Sequence, residues 1–319
     1  VLEHMMFKGT EKFPEGSLSK TVARLGGKDN AFTNTDYTGY YQQVPARNLE
    51  KMVEMEADRM NGLLFRKEDF EKEIKVVQEE RRWRTDDKPE GLLVEALRAT
   101  AFTAHPYHWP VVGWMDDLQN MTLEDAAAWY RKWYAPNNAT MVVVGDVKAQ
   151  DVRVLAEKYF GGLPRKPVVR GKPQVEPVQR GIRRVTVNAP AENPTVVLAY
   201  KAPPLRDVEK DDDVYALQVL SSVLDGYENA RLQSALVRKE KVALEVGTEY
   251  TALARGPSLF VLSAVPANGV SVDELEKRLR QSVAEIAKKG VSPEELQRVK
   301  TQLVASQIYK RDSMFGQAL

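Results

Sequence analysis

A glutamate and a histidine, Glu3 and His4, stand in an otherwise apolar run from Val1 to Phe7 that Lys8 and Gly9 close. Lysine in the last turn and glycine just past it are typical of a helix C-terminus. A carboxylate and an imidazole in a buried helix need partners, because burying them unpaired costs free energy. A metal ion is one such partner, since both groups bind zinc and a further carboxylate can act as a base toward water.

A second group of candidate ligands lies on a predicted helix from about Lys67 to Trp83. Five residues in and just after it share one face at helical spacing: Glu73, Val76, Val77, Glu80 and Arg84. Two carboxylates on a face that also carries valines are not typical of a charged surface helix. Solvated carboxylates stay the alternative, because short motif matches include false positives.

The stretch from Leu2 to Thr10 resembles the inverted zinc motif, His-x-x-Glu-His, of the pitrilysin/insulinase (M16) metallopeptidases. The resemblance implies that His4 is the second histidine, a zinc ligand, and that Glu3 is the general base. The first histidine would stand one residue before Val1, and residues 307–319 end without a capping signal, so we expect a chain truncated at both ends. We expect these residues alone to bind zinc weakly, because one of three protein ligands would be missing.

The same resemblance assigns Glu80 as the third zinc ligand and Glu73 as a supporting catalytic carboxylate. An internal repeat agrees with these roles. The stretch that carries them aligns with residues 296–312, where Val299 stands in place of Glu73 and Ser306 in place of Glu80. The second copy keeps the apolar positions and loses the carboxylates, which indicates that the carboxylates do more than support folding.

Asn30, Ala31 and Phe32 begin a predicted hairpin that ends at about Val44. They match the strand that lies beside the metal in the M16 family. The resemblance therefore implies a substrate-binding edge that takes up a peptide as an added strand. Without the resemblance, the same pattern indicates an ordinary buried strand.

M16 active sites also contain an arginine and a tyrosine, seven residues apart, that bind substrate and stabilise the oxyanion. Arg238 occupies the arginine position, but Glu245 stands where tyrosine is expected. A carboxylate cannot donate a hydrogen bond to an oxyanion at neutral pH. A surface helix residue is the alternative interpretation of Arg238.

This departure predicts the metal-bearing subunit of a heterodimer, whose homologous partner supplies the arginine and tyrosine. Two such chains would form a clamshell chamber that admits short or unfolded peptides. A homodimeric peptidase requires another group in place of the tyrosine. A non-catalytic structural or core subunit of the same family is the rival hypothesis.

The composition agrees with a two-domain globular protein. The 319 residues are 43% hydrophobic and 29% charged, with a formal net charge of +1 and no cysteine. This charge gives no reason to expect nucleic acid or an anionic membrane as a partner, and no apolar run approaches a membrane span. We expect a periplasmic protein, with the cytoplasm as the alternative.

The predicted architecture is α+β, with two homologous α/β sandwich domains of the LuxS/MPP-like metallohydrolase type. Residues 1–162 form the predicted zinc-bearing domain, 163–181 a linker with four prolines and no periodicity, and 182–319 a domain without metal ligands. Strands are predicted at 139–146 and 182–188, among others, and helices at about 89–101 and 272–289. Thr122 and Asp125 have the spacing of a capping box at the start of another helix. Prolines beside His105 and His108 favour a rigid turn over a second metal site.

Overall fold

The computed structural model describes residues 1–318. Twelve α-helices are formed by these residues: α1 Leu2–Met5, α2 Ser17–Arg24, α3 Leu49–Gly62, α4 Lys67–Arg81, α5 Pro89–Ala101, α6 Met115–Asn120, α7 Leu123–Trp133, α8 Ala149–Phe160, α9 Asp212–Asp225, α10 Val272–Lys289, α11 Pro293–Lys310 and α12 Met314–Ala318. Short 3₁₀ and π turns complete the helical structure: Ala46–Asn48, Arg82–Asp86, Pro106–His108, Pro136–Asn138 and Gln233–Lys239. None of the helices within 1–318 is long and apolar enough to cross a bilayer.

Five strands form two antiparallel sheets in the same part of the chain: β1 Lys28–Thr33, β2 Thr38–Gln43, β3 Val196–Ala202, β4 Ala243–Tyr250 and β5 Ser258–Pro266. The first sheet is the hairpin β1–β2, and the second has the order β3–β5–β4. This mixture of helices packed on antiparallel strands is the predicted α+β class.

The chain divides into two compact units. The first unit contains residues 1–91, 109–174 and 314–319, and the second contains 92–108 and 175–313. The chain passes from one unit to the other at several points, and one of these, 174–175, lies inside the predicted linker. The predicted domain boundaries at 162 and 182 stay a prediction.

The first unit places α1 against α4 and against the start of the β1–β2 hairpin. Met5, on the inner side of α1, is fully buried among apolar side chains of α4, which include Phe70, Ile74 and Val77. These three residues follow the i, i+4, i+7 spacing of one helix face. Their burial fixes the direction of α4, and so the directions of the glutamates on the adjoining part of its surface.

The second unit packs α10 against the inner face of the β3–β5–β4 sheet. Burial alternates strictly along β5, as expected for a central strand with one face in the core. Leu262 of β5 and Leu275 and Leu279 of α10 are fully buried in that core. Helix α11 packs beside α9 in the same unit.

The predictions of strands at 139–146 and 182–188 are wrong. Both segments lack regular secondary structure. Apolar, β-branched residues favour an extended backbone, but a strand forms only where a neighbour supplies the ladder of hydrogen bonds. Neither segment pairs with one of the five strands of the described residues. Helix α8, in contrast, was not predicted.

Candidate metal centre

The packing of α1 on α4 brings His4 to two glutamates of α4. The Nδ1 atom of His4 lies 2.8 Å from Oε2 of Glu73, and its Nε2 atom lies 3.8 Å from Oε2 of Glu80. The two glutamates stand seven residues apart, which is two helical turns, and therefore project from the same side of α4. The imidazole thus faces one carboxylate with each of its ring nitrogens.

The contact with Glu73 determines which nitrogen of His4 can bind a metal. When Nδ1 donates its proton to the carboxylate of Glu73, the neutral ring keeps a free electron pair on Nε2. Carboxylates commonly hold metal-binding histidines in this way. The Nε2 atom that faces Glu80 is therefore the one available as a ligand.

The spacing of His4 and Glu80 is compatible with a shared zinc ion. Two ligands about 2.1 Å from one tetrahedral ion are about 3.4 Å apart, and the observed 3.8 Å is slightly wider. Imidazole nitrogen and carboxylate oxygen are also the donors that zinc prefers. Across residues 1–318, however, no three His, Cys, Asp or Glu side chains are arranged to hold a metal. The described chain therefore offers two candidate ligands, His4 and Glu80, and one carboxylate that contacts His4.

A cation stands behind each of the two glutamates. Nζ of Lys8 lies 2.7 Å from Oε1 of Glu73, and Arg84 lies 2.7 Å from Oε1 of Glu80. In both glutamates one oxygen contacts the cation and the other faces His4. The pairs therefore fix the orientation of both carboxylates relative to the imidazole.

The charge state of Glu73 follows from these contacts. Its burial acts to raise the pKa, but the hydrogen bonds from Lys8 and His4 outweigh burial, and the pKa of Glu73 is held below its usual value. The carboxylate is thus ionised at neutral pH and can accept the Nδ1 proton of His4.

Glu3 is oriented by the hairpin and not by α4. Its Oε2 atom accepts a hydrogen bond from the hydroxyl of Thr33, the last residue of β1. The Thr33 hydroxyl also lies 3.2 Å from that of Thr38, its partner across the hairpin. The Glu3 side chain is partly exposed, so water can reach it.

The residues predicted to bind substrate lie in two places. Asn30, Ala31 and Phe32 are on β1, which pairs with β2 in the sheet that the described residues form. Asn30 is exposed, and its side chain accepts a hydrogen bond from the N–H of Ala31 at 2.9 Å. The edge of β1 away from β2 is free of strand pairing among residues 1–318. Its use by a peptide stays a prediction.

Arg238 belongs to the second unit, in the π turn before β4. Its guanidinium contacts the carboxylate of Glu228 at 3.0 Å and the side chain of Asn229. Glu245 lies on β4 and is exposed. These contacts give Arg238 a local structural role, and its assignment to substrate binding stays a prediction.

The two other histidines lie in and beside a short turn, as the flanking prolines predict. Pro106–His108 is a 3₁₀ turn, and Nδ1 of His105 accepts the backbone N–H of Tyr107 at 3.2 Å. An imidazole nitrogen occupied in this way cannot bind a metal at the same time.

Three residues near the centre were not singled out as site residues from the sequence: Lys8, Thr33 and Arg84. Arg84 follows Glu80 by four residues, so helical spacing alone could have suggested that ion pair. Lys8 and Thr33 meet their partners only through the tertiary fold, and no local pattern indicates those contacts.

Comparison with known proteins decides the family. Residues 1–113 match the family model described as Insulinase (Peptidase family M16), and residues 120–303 match the one described as Peptidase M16 inactive domain. The chain belongs to peptidase family M16. The family and the α+β fold predicted from the sequence are both confirmed.

Relatives within the family include named zinc proteases. The chain is 35% identical over 303 residues to the zinc protease PqqE of Helicobacter pylori, an alignment that covers 94% of this chain and 67% of the relative. The crystal structure of a protease from Helicobacter pylori is similar with a TM-score of 0.93 and 35% identity, over 99% of this chain and 76% of that one.

A more distant likeness concerns the fold alone. The periplasmic protease PqqL from Escherichia coli is similar with a TM-score of 0.75 and 22% identity, over 99% of this chain and 35% of that one.

Proposed function

We propose that this protein is a zinc-dependent endopeptidase subunit in which His4 and Glu80 bind the metal and Glu3 is the general base. The observation that carries the proposal is the orientation of His4, whose Nδ1 contacts Glu73 while its Nε2 faces Glu80 at 3.8 Å. The histidine that the family motif places one residue before Val1 is the third ligand in this proposal. The names of the relatives support zinc as the metal.

Zinc, when bound, supplies a Lewis acid that polarises a peptide carbonyl and acidifies a water molecule. Glu3 takes up the proton of the attacking water and delivers it to the leaving amine. The hydroxyl of Thr33 occupies Oε2 of Glu3, so we assign Oε1 to proton transfer. Glu73 keeps the His4 ring in one orientation and one tautomer throughout.

The proposed substrates are short or unfolded peptides, cleaved in a clamshell chamber formed with a second M16 subunit. The second subunit supplies the arginine and tyrosine, because Glu245 of the present chain cannot donate a hydrogen bond to an oxyanion. We also propose a periplasmic location, supported by the description of the similar PqqL as a periplasmic protease.

A non-catalytic family member is the second candidate. One observation favours it: Glu245 stands at the position where the M16 resemblance expects tyrosine. In that case the chain would support a catalytic partner and would bind no zinc of its own.

Metal analysis and one substitution separate the two candidates. In a longer protein, defined as this chain extended at its N-terminus to include the whole motif, we expect one zinc per chain before any substitution. Glu3→Gln should retain that zinc while peptide cleavage falls by about 10²–10⁴-fold, the typical contribution of a general base. Glu11→Gln, a change at an exposed glutamate of the following loop, is the matched control.

Two results would contradict the peptidase proposal in different ways. Undiminished cleavage by Glu3→Gln would remove Glu3 from the role of base. A wild-type protein without zinc, and without cleavage in the presence of any M16 partner, would favour the non-catalytic subunit.

A further inference from the structure

Lys8 lies in the turn after α1 and contacts two carboxylates, neither of which belongs to a proposed metal ligand. Its ammonium group is 2.7 Å from Oε1 of Glu73 and 2.8 Å from Oε1 of Glu15. The side chain of Lys8 is 15% exposed and that of Glu73 is 14% exposed. Charges that are this well buried need partners, and here each supplies one for the other.

The Lys8 contact completes the fixation of Glu73. Oε2 of Glu73 contacts His4, and Oε1 contacts Lys8. With both oxygens occupied, the carboxylate plane cannot rotate away from the imidazole without breaking an ion pair. The sequence of contacts runs from Glu15 through Lys8 and Glu73 to Nδ1 of His4.

The backbone around Lys8 is also hydrogen-bonded to neighbouring segments. The carbonyl of Lys8 accepts a hydrogen bond from Arg66, the residue before α4, at 3.1 Å. The carbonyl of Gly9 accepts one from the N–H of Leu64 at 3.1 Å. Lys8 therefore joins the end of α1 to both the beginning and the middle of α4.

The loop after Lys8 is folded back so that Glu15 reaches the ammonium. Gly9 has φ +87°, and a Cβ atom at that position would lie 2.5 Å from the backbone N of Glu15. A bridge between Gly9 and Pro14 closes the loop. Only glycine fits this close approach with positive φ, so the second carboxylate on Lys8 depends on the residue type that follows it.

We propose that Lys8 is a positioning residue for the metal centre: it holds Glu73 in place, and Glu73 in turn keeps the proton of His4 on Nδ1 and the free electron pair on Nε2. This inference rests on the proposed function for its metal, but the contact with His4 exists without one. It assigns to Lys8 an effect on metal affinity, in addition to any effect on stability.

The experiment compares Lys8→Met with Lys12→Met in the longer protein. Methionine keeps the apolar stem of lysine and removes the ammonium group and its charge. Lys12, in the same loop, is exposed and pairs with Glu54, so its loss should leave the centre intact. Zinc affinity is measured by competition with a chromophoric chelator, and the thermal unfolding of the metal-free protein is measured alongside.

We expect Lys8→Met to weaken zinc binding by about 10–100-fold, the range found when an outer partner of a ligand is lost. Lys12→Met should bind zinc like the wild type. Lys8→Arg, which retains the charge, should lie between wild type and Lys8→Met. Should Lys8→Met not fold, Lys8→Gln takes its place with the same expected direction.

The tautomer of His4 gives a readout that a merely structural role would not change. In ¹⁵N spectra of the metal-free protein, neutral His4 should carry its proton on Nδ1 in the wild type and should become a mixture of tautomers in Lys8→Met. Unchanged zinc affinity together with an unchanged tautomer would overturn the inference. Absence of zinc in the wild type would overturn the proposed function, while the tautomer would still test Lys8.

Discussion

Helix α4 of the first unit and helix α11 of the second occupy equivalent places in the internal repeat, and they differ in what two of their positions do. Glu73 and Glu80 of α4 face the imidazole of α1. Their counterparts are Val299, which is fully buried, and Ser306, whose exposed hydroxyl bonds to the carbonyl of Leu303 in its own helix. At these two positions α11 carries a buried valine and an exposed serine, whereas α4 carries two carboxylates.

The difference has an energetic side. Full burial of a valine stabilises a fold by about 1.5–3 kcal/mol, and α11 gains that contribution at Val299. Glu73, at the same position of α4, is 14% exposed and is stable there because Lys8 neutralises its charge and both Lys8 and His4 hydrogen-bond it. The first unit therefore gives up apolar packing at the place where its chemistry is proposed.

The largest effect is expected when a carboxylate is introduced at position 299 of α11, where the second copy carries a buried valine. Val299→Glu should destabilise the protein by about 3–5 kcal/mol, because an unpartnered charge would be buried. Urea unfolding at neutral pH measures the loss. Val304→Glu, at a position of the same helix that is 58% exposed, should change stability by no more than about 0.5 kcal/mol. Equal effects at both positions would show that burial at 299 is not the deciding difference.

Removal of the Glu80 carboxylate tests whether α4 uses this position to bind a metal. Glu80→Gln in the longer protein should weaken zinc binding by more than about 100-fold, since a direct ligand matters more than its outer partners. Zinc affinity from chelator competition measures it. The control is Glu79→Gln, one residue away on the exposed side of α4, which should bind zinc normally. Equal affinity of the two variants would remove Glu80 from the metal site.

The second unit contains a buried carboxylate, Glu176, whose partners belong to no proposed metal site. Glu176 accepts hydrogen bonds from the backbone N–H groups of Thr103, Ala104 and His105 and pairs with Lys201 at 2.9 Å. Burial acts to raise its pKa, but these bonds prevail and lower the pKa to about 2. An ordinary unfolded glutamate has a pKa of about 4.3.

The sign of the pH dependence follows from that lowered pKa. The stability that Glu176 contributes is fully present above about pH 5 and is lost as the pH falls toward about 2. Glu176→Gln should therefore lower the free energy of unfolding by about 2 kcal/mol at pH 7, with a smaller difference from wild type at pH 3. Urea unfolding at the two pH values measures it. A difference that grows on acidification would contradict the assignment.

The smallest expected effect concerns the orientation of the proposed base. Thr33→Val removes the hydroxyl that donates to Glu3 and should lower kcat by about 10-fold, with zinc content unchanged. Thr33→Ser should restore most of the rate. Thr38→Val, across the hairpin, is the control, because Thr38 contacts Thr33 and has no described bond to Glu3. A change confined to KM would assign Thr33 to substrate binding.

Much of the helical structure could be predicted from the sequence. The predicted bounds of α5 and α10 agree with the structure, and the predicted capping box of Thr122 and Asp125 at the start of α7 is formed. Periodicity and caps are local signals, so a single sequence contains them. The predicted strands at 139–146 and 182–188 failed because strand pairing depends on distant segments.

The same distinction between local signals and contacts of distant segments applies to the candidate site. Spacing on α4 and the family resemblance brought Glu73 and Glu80 to one face, and the structure places His4 between them. The contacts of Lys8 with Glu73 and of Thr33 with Glu3 join residues far apart in the chain. They depend on how α1 and the hairpin pack, which the sequence pattern does not specify.

The turn at Gly9 restricts how the sequence can vary. Gly9 has φ +87°, and a Cβ atom there would lie 2.5 Å from the backbone N of Glu15. Any other residue at this position would therefore displace the loop that brings Glu15 to Lys8. Selection of intact protein from a library of substitutions at position 9 should return glycine alone, although this residue carries no reactive group.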